Sequence, residues 1–321
     1  VFLWQSGTKY KVQVHDADMK PVEATYGTTD NQMTVIEGNL FLKGDQPVNQ
    51  RTSYGLGEVI ADALNNDAEH LVISLGGIGS FDGGAGMLQA LGAKFYDDEG
   101  EVIDVTKGSY ILKYIRRVDF DDLHPRLNEV RIQVMSDFSS RLYGKQSEIM
   151  QIYPALGLTR EEAADIDNTV WYFSEILKSE KQLALGYVER GGAGGGIAAL
   201  LNQMYDAEIK TSQALVDQIT HLESLISKAD LIIFGEGVNE ADQLLETTTL
   251  RIAELASKHH KPSIAICATP DKFELFENMD VTAMFNTFME MPKTYTDFKM
   301  GIQIRHYTVQ AIKLLKTTLE A

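Results

Sequence analysis

One stretch constrains the fold more than any other: Leu71-Val72-Ile73-Ser74-Leu75-Gly76-Gly77-Ile78-Gly79-Ser80-Phe81-Asp82-Gly83-Gly84-Ala85-Gly86-Met87-Leu88-Gln89-Ala90-Leu91-Gly92. A short apolar run rich in β-branched residues yields to glycines, then to a carboxylate, then to an Ala/Met/Leu pattern of helical period. That order predicts strand, turn and helix, the repeating unit of an α/β sheet. The glycines allow positive φ and close approach of a ligand, and amides at a helix start attract anions. Asp82 at that point disfavours a bare phosphate. It reads either as the N-cap of the helix or as a group working with a metal or a substrate hydroxyl.

The remaining chain extends this pattern. Lys9–His15, Val22–Thr28 and Met33–Glu37 alternate as strands, the last two joined by a turn at Asp30-Asn31. Thr52 or Ser53 opens a helix with two glycines in its first turns, which cost about 1 kcal/mol each against Ala and signal close packing or a ligand. Lys94–Val105 reads as a hairpin around Glu99-Gly100. Val130–Met135 reads as a strand with Asp137 at its carboxyl end, where α/β sheets bind ligands and where an Asp also forms turns. Thr159-Arg160-Glu161-Glu162 is a capping box for a long helix carrying Trp171 and Phe173, read as core or interface residues. Gly191–Gly196 precedes a strongly helical Ala/Leu run and is either a ligand-facing helix start or tight packing. A helix over 212–227, a buried strand ending in Gly235-Glu236-Gly237, a helix to His259, strands at 263–267 and 281–285, and a closing helix complete the chain.

At 321 residues the chain is long enough for two domains, and its net charge of −17 comes with no basic run. Nucleic acid and anionic membrane surfaces need clustered Lys or Arg and are therefore not expected partners. The single Cys267 excludes an intrachain disulfide framework and fits a reducing, cytoplasmic setting. No apolar run reaches the length of a membrane span. The opening Val1-Phe2-Leu3-Trp4 reads as the interior of a helix, so an upstream segment is expected.

The ordered set Thr52-x-Tyr54-Gly55-x-Gly57-Glu58, Gly76-Gly77-x4-Asp82-Gly83-Gly84-Ala85-Gly86-Met87, Gly192-Ala193-x-Gly195-Gly196 and Gly235-Glu236-Gly237 resembles the bacterial glycerate kinase family. The resemblance covers nearly the whole chain. It implies ATP- and Mg²⁺-dependent phosphoryl transfer to a hydroxyl of glycerate or a related small hydroxy acid. It also implies two α/β domains: a Rossmann-like, flavodoxin-like doubly wound sheet domain (1–8 plus 228–321) and a mixed α/β domain (9–227) inserted into it. On this reading Asp82 orients or deprotonates the acceptor hydroxyl, and Asp137 and Glu236 hold the metal. Thr52, Gly76, Gly77, Gly83, Gly84, Gly192, Ala193, Gly195, Gly196, Gly235 and Gly237 face substrate or phosphate. Self-association is left open.

The chain also departs from that pattern. Phe81 stands where the family carries Asn. Asp137-Phe138-Ser139-Ser140-Arg141-Leu142 stands for Asp-Val-Thr-Asn-Pro-Leu, and Tyr153-Pro154-Ala155-Leu156-Gly157-Leu158 for Gly-Pro-Gln-Lys-Gly-Ala. Leu156, Val238 and Thr247 thus replace two lysines and an arginine. Each lost cationic contact to a transferring phosphoryl group costs about two to three decades in rate. The alternative is a catalytically degenerate paralogue that binds a small acid or nucleotide without turnover. Arg141 and Lys145 are the basic residues available to compensate.

Overall fold

The structure is a computed structural model describing residues 7–77, 79–137, 139–236, 248–267, 276, 279–286 and 297–319. The chain separates into two compact units, Val1–Ser212 and Gln213–Ala321. Both are mixed α/β.

The first unit is built on a six-stranded sheet of β1 (Thr8–His15), β2 (Pro21–Thr28), β3 (Met33–Glu37), β4 (His70–Ser74), β7 (Arg131–Met135) and β8 (Glu208–Lys210), in that spatial order. β2 runs antiparallel to both its neighbours, and β3, β4, β7 and β8 are mutually parallel. Leu71, Val72 and Ile73 of β4 are fully buried, as a central strand covered on both faces requires. The sheet margins differ: β1 carries the exposed Lys9 and Lys11, and β8 is three residues long.

Helix α1 (Tyr54–Asn65) turns Leu56, Val59, Ile60, Ala63 and Leu64 to the core. Burying a side chain of that size stabilises by about 1.5–3 kcal/mol. Its first-turn glycine has a packing cause, since a Cβ on Gly55 would lie 1.8 Å from the carbonyl oxygen of His15. Helix α2 (Ala85–Ala90) follows the glycine-rich turn after β4 as expected, and α3 (Glu148–Ile152) is a short helix. Helix α4 (Arg160–Lys181) begins at a complete Thr159/Glu162 capping box, and α5 (Ile197–Tyr205) follows the second glycine run. Phe173 is buried in the core against Phe95, whereas Trp171 is 46% exposed.

The hairpin expected over 94–105 is only partly present. The turn around Glu99-Gly100 exists, with Asp97 N–H donating to Glu101 O at 3.0 Å. The strand β5 (Lys94–Tyr96), however, pairs with β6 (Arg117–Asp119), a partner too distant for local alternation to reveal.

In the second unit β9 (Ile232–Glu236), β10 (Ser263–Cys267) and β11 (Ala283–Asn286) form a parallel sheet of order β11-β10-β9. The expected helix over 212–227 is two helices, α6 (Ser212–Thr220) and α7 (Leu222–Lys228), broken where His221 adopts φ 52°. The chain divides after Ser212 rather than near Ser227, because Leu222 and Ile226 pack with Ile232, Phe234 and Ala256. Asp217 also pairs with Arg251 at 3.2 Å on α8 (Thr248–Lys258). Thr8 pairs with Thr28 in the first sheet, so the start of the described chain groups with the larger unit. Helix α9 (Asp297–Leu319) ends the description. Gly237, Val238, Glu240 and 242–247 lie outside the described residues. Among the described residues no helix is long and apolar enough to cross a membrane.

Candidate active site at the carboxyl edge of the larger sheet

Because β1, β3, β4, β7 and β8 share one direction, their carboxyl ends His15, Glu37, Ser74, Met135 and Lys210 line one edge. The loops leaving that edge carry most of the expected residues of the first unit. Ligands of α/β sheets bind at such edges.

Asp82 sits in the loop after β4 and is fully buried. Its Oδ2 accepts from Ser53 N–H at 2.8 Å, Ser53 Oγ at 2.9 Å, Gly86 N–H at 3.2 Å and Thr52 Oγ1 at 3.3 Å. Its Oδ1 accepts from Gly84 N–H at 3.0 Å. Burial pushes its carboxyl above the ordinary range, and the Ser53, Gly84 and Gly86 donors pull it back. This carboxylate ties the starts of α1 and α2 together, with Ser53 Oγ in turn accepting Met87 N–H at 3.0 Å. The helix-capping reading of Asp82 therefore describes its contacts. Thr52 is likewise fully buried and presents no surface to a ligand.

The two glycine-rich stretches interlock. Gly83 N–H donates to Gly195 O at 3.0 Å. Gly195 adopts φ 64°, and a Cβ there would lie 2.3 Å from Ser80 O, so only glycine fits this crossing. The other amides expected to meet phosphate are also engaged within the chain. Gly84 donates to Asp82, Gly192 to Ser140 O and Gly196 to Gly192 O. Gly83, Gly84, Gly192, Ala193, Gly195 and Gly196 are all buried. Tight packing accounts for this run. Gly76 and Gly77, by contrast, are exposed, and nothing lies within 4 Å of a Cβ built on Gly76.

Asp137 follows β7 on the same edge and is exposed. Its Oδ1 accepts Ser212 N–H at 2.7 Å and its Oδ2 accepts Ser212 Oγ at 2.5 Å, capping α6. An ionised carboxylate offers about four acceptor sites, so each oxygen retains capacity for a further partner. Gly235 and Glu236 end β9 in the other unit, and the Glu236 side chain and Gly237 lie outside the described residues. Among the described residues no three His, Cys, Asp or Glu side chains converge as a metal cage. Mg²⁺ is usually held by one or two carboxylates plus substrate phosphates, and Asp137 fits one such ligand.

Three further features were not expected. Glu148, at the start of α3, is 6% exposed and accepts Gly195 N–H at 3.3 Å; burial pushes its carboxyl up to about 7. Asn39, after β3, has a buried Oδ1 with no hydrogen-bond partner among the described residues, and its Cβ lies 3.8 Å from where a Cβ on Gly77 would sit. His15 donates its backbone N–H to Glu58 Oε2 at 2.8 Å and sets Nδ1 3.0 Å from Glu58 Oε1. Glu58 belongs to the motif read from the sequence. His15 and Asn39 carried only the signal of lying at strand ends, and Glu148 carried none.

Two departures from the resembled pattern fall in one cluster. Phe81 is 2% exposed and clusters with Val48, Ile149, Ala163 and Ile166, with Leu156 and Leu158 packed against them. Phe81 and Leu156, the positions where the resembled pattern carries Asn and Lys, lie in one apolar cluster.

Comparison with known proteins agrees with this architecture. The model of the "Glycerate kinase family" matches residues 2–312. A glycerate kinase of Halalkalibacterium halodurans is 31% identical over 270 residues, covering 82% of this chain and 70% of that protein. The glycerate 2-kinase of Escherichia coli is 34% identical over 218 residues, covering 68% of this chain and 57% of that protein, so the match spans little more than half of that relative. A crystal structure from Salmonella typhimurium LT2, assigned as glycerate kinase 2, superposes with a TM-score of 0.84 at 26% identity, covering 98% of this chain and 84% of that one.

Proposed function

This chain belongs to the glycerate kinase family, and on that premise we propose that it transfers the terminal phosphoryl group of ATP, in the presence of Mg²⁺, to a hydroxyl of glycerate or a related small hydroxy acid. The observation that carries this reading is the exposed Gly76-Gly77 turn beside the unpartnered Asn39 Oδ1, on the sheet edge that also bears Asp137. Exposed glycine amides suit a carboxylate or phosphate oxygen. The half-buried Asn39 side chain beside that turn would offer its amide oxygen to a substrate hydroxyl once ligand entry uncovers it.

Phosphoryl transfer needs little covalent help from the protein and depends on positioning and electrostatics. Asp82 fits that demand as a positioning residue: it fixes the loop that carries Gly76-Gly77 and the start of α1. Asp137 is the exposed carboxylate proposed to hold Mg²⁺, which would neutralise charge on the nucleotide phosphates. Arg51 stands beside the same loop, its Nη1 3.2 Å from a Cβ built on Gly79, and it is a candidate cation for the acid's carboxylate. Small acids and a nucleotide are the partners this edge suits, and the single cysteine agrees with a cytoplasmic setting.

The test is ADP release coupled to a reporter, with D-glycerate, ATP and Mg²⁺ on the full-length protein. Turnover that requires all three supports the reading. Absence of both ADP and phosphoglycerate overturns it.

A further inference from the structure

Beside the candidate site, a cavity of about 300 Å³ is lined by Ser139, Ser140, Arg141, Gln146, Glu189 and Arg190. It lies between the loop leaving β7 and the segment leading into the second glycine run. These walls are joined by Gly192 N–H donating to Ser140 O at 3.2 Å, and Arg141 N–H to Gln146 O at 2.9 Å. Ser140 is 2% exposed, and its Oγ has no hydrogen-bond partner among the described residues. Among the described residues neither Arg141 nor Arg190 has an ion-pair or hydrogen-bond partner for its guanidinium. Most arginines elsewhere in this unit are paired, as Arg126 is with Asp67 and Arg131 with Glu208. In a chain of 46 acidic and 29 basic residues, two unpaired guanidinium groups around one cavity are unexpected unless an anion is to be met there.

We infer that this cavity is a phosphate subsite, with Arg141 and Arg190 as its cations and Ser140 Oγ as its hydrogen-bond donor. The guanidinium fork matches the oxygens of phosphate, and a buried hydroxyl without a partner gains most from a charged acceptor. Glu189 is the one acidic residue of the lining and opposes any anion, which sets a limit on affinity. The assignment of a phosphate ligand rests on the phosphoryl-transfer reading, whereas the cavity and its cations do not.

The test is calorimetry with pyrophosphate and, separately, D-glycerate on the full-length protein and on Arg141→Gln, Arg190→Gln and Glu189→Gln. Arg141 and Glu189 are exposed and Arg190 is half-buried, so unchanged thermal midpoints are expected for all three. Either arginine variant should weaken pyrophosphate at least tenfold and leave D-glycerate within twofold; Glu189→Gln should tighten pyrophosphate severalfold. Pyrophosphate that fails to bind the parent protein, or binds both arginine variants equally well, overturns the subsite, as does weakening of D-glycerate alone. Arginine-dependent pyrophosphate binding without glycerate turnover would retain the subsite and reject the kinase reading. Turnover with unchanged pyrophosphate affinity in both variants would do the reverse.

Discussion

The amide of Gly83 donates to the carbonyl oxygen of Gly195 at 3.0 Å, and this bond fastens two glycine-rich turns from distant parts of the chain. Substitution at the crossing and away from it should therefore differ. Gly195→Ala combines a left-handed backbone with a Cβ 2.3 Å from Ser80 O and should destabilise the larger unit by about 3 kcal/mol or more. Gly77→Ala meets only the backbone preference at φ 73°, with its nearest neighbour 3.8 Å away, and should cost about 1 kcal/mol. Urea denaturation of both variants measures the difference.

Asp82→Asn separates an anchor from a base. The side-chain amide would face the N–H groups of Ser53, Gly84 and Gly86 with fewer acceptor sites. Loss of those charge-assisted bonds should lower stability by about 2–4 kcal/mol. Turnover and thermal midpoint should fall together. Lost turnover in a variant of unchanged midpoint would instead identify Asp82 as the base.

Glu148 gives the larger unit a pH dependence of defined sign. Its carboxyl titrates at about 7 in the fold against 4.5 when unfolded, so the folded state holds a proton that the unfolded state releases. Stability from this group is fully present below about pH 4.5 and is lost as pH rises through about 7, by about 3 kcal/mol in all. Glu148→Gln should flatten the dependence between those limits in denaturation curves recorded across that range.

Phe81→Asn restores the residue that the family pattern carries, yet it should not restore a family-like site. Phe81 is 2% exposed within an apolar cluster, and replacing it with a smaller polar group should cost about 3–5 kcal/mol. Chemical denaturation measures this. A variant as stable as the parent would show that the cluster packs without it.

Asn39→Ala removes the buried oxygen beside the Gly76-Gly77 turn. Since that oxygen has no partner among the described residues, its removal should leave stability within about 0.5 kcal/mol. The KM for glycerate should rise about tenfold, as loss of one substrate hydrogen bond implies. Paired melting and steady-state measurements check both halves.

What could be read from the chain was local. The strand, turn and helix around Asp82 follow from apolar spacing and glycine content, and the Thr159/Glu162 capping box needed only neighbouring residues. Long-range partnership was not legible. Asp82 is buried because Ser53 reaches it from another element, and Gly195 is spent on Gly83 for the same reason. Glu148 looks in sequence like any acid in a first helical turn, and only the fold buries it against Gly195. Arg141 and Arg190 lie far apart in the chain, so the cavity they share has no linear signature. His221 broke an expected helix by adopting a conformation its neighbours do not announce.

The margins of the six-stranded sheet have a bearing on solution behaviour. At β8 the margin is only three residues long, too short to template another chain. At β1 a newcomer would have to desolvate Lys9 and Lys11, the latter already 2.7 Å from Glu23. Accretion of further copies by strand addition is thereby disfavoured at both ends. In concentrated preparations, strand addition at these two margins is therefore not the expected route to self-association of the larger unit.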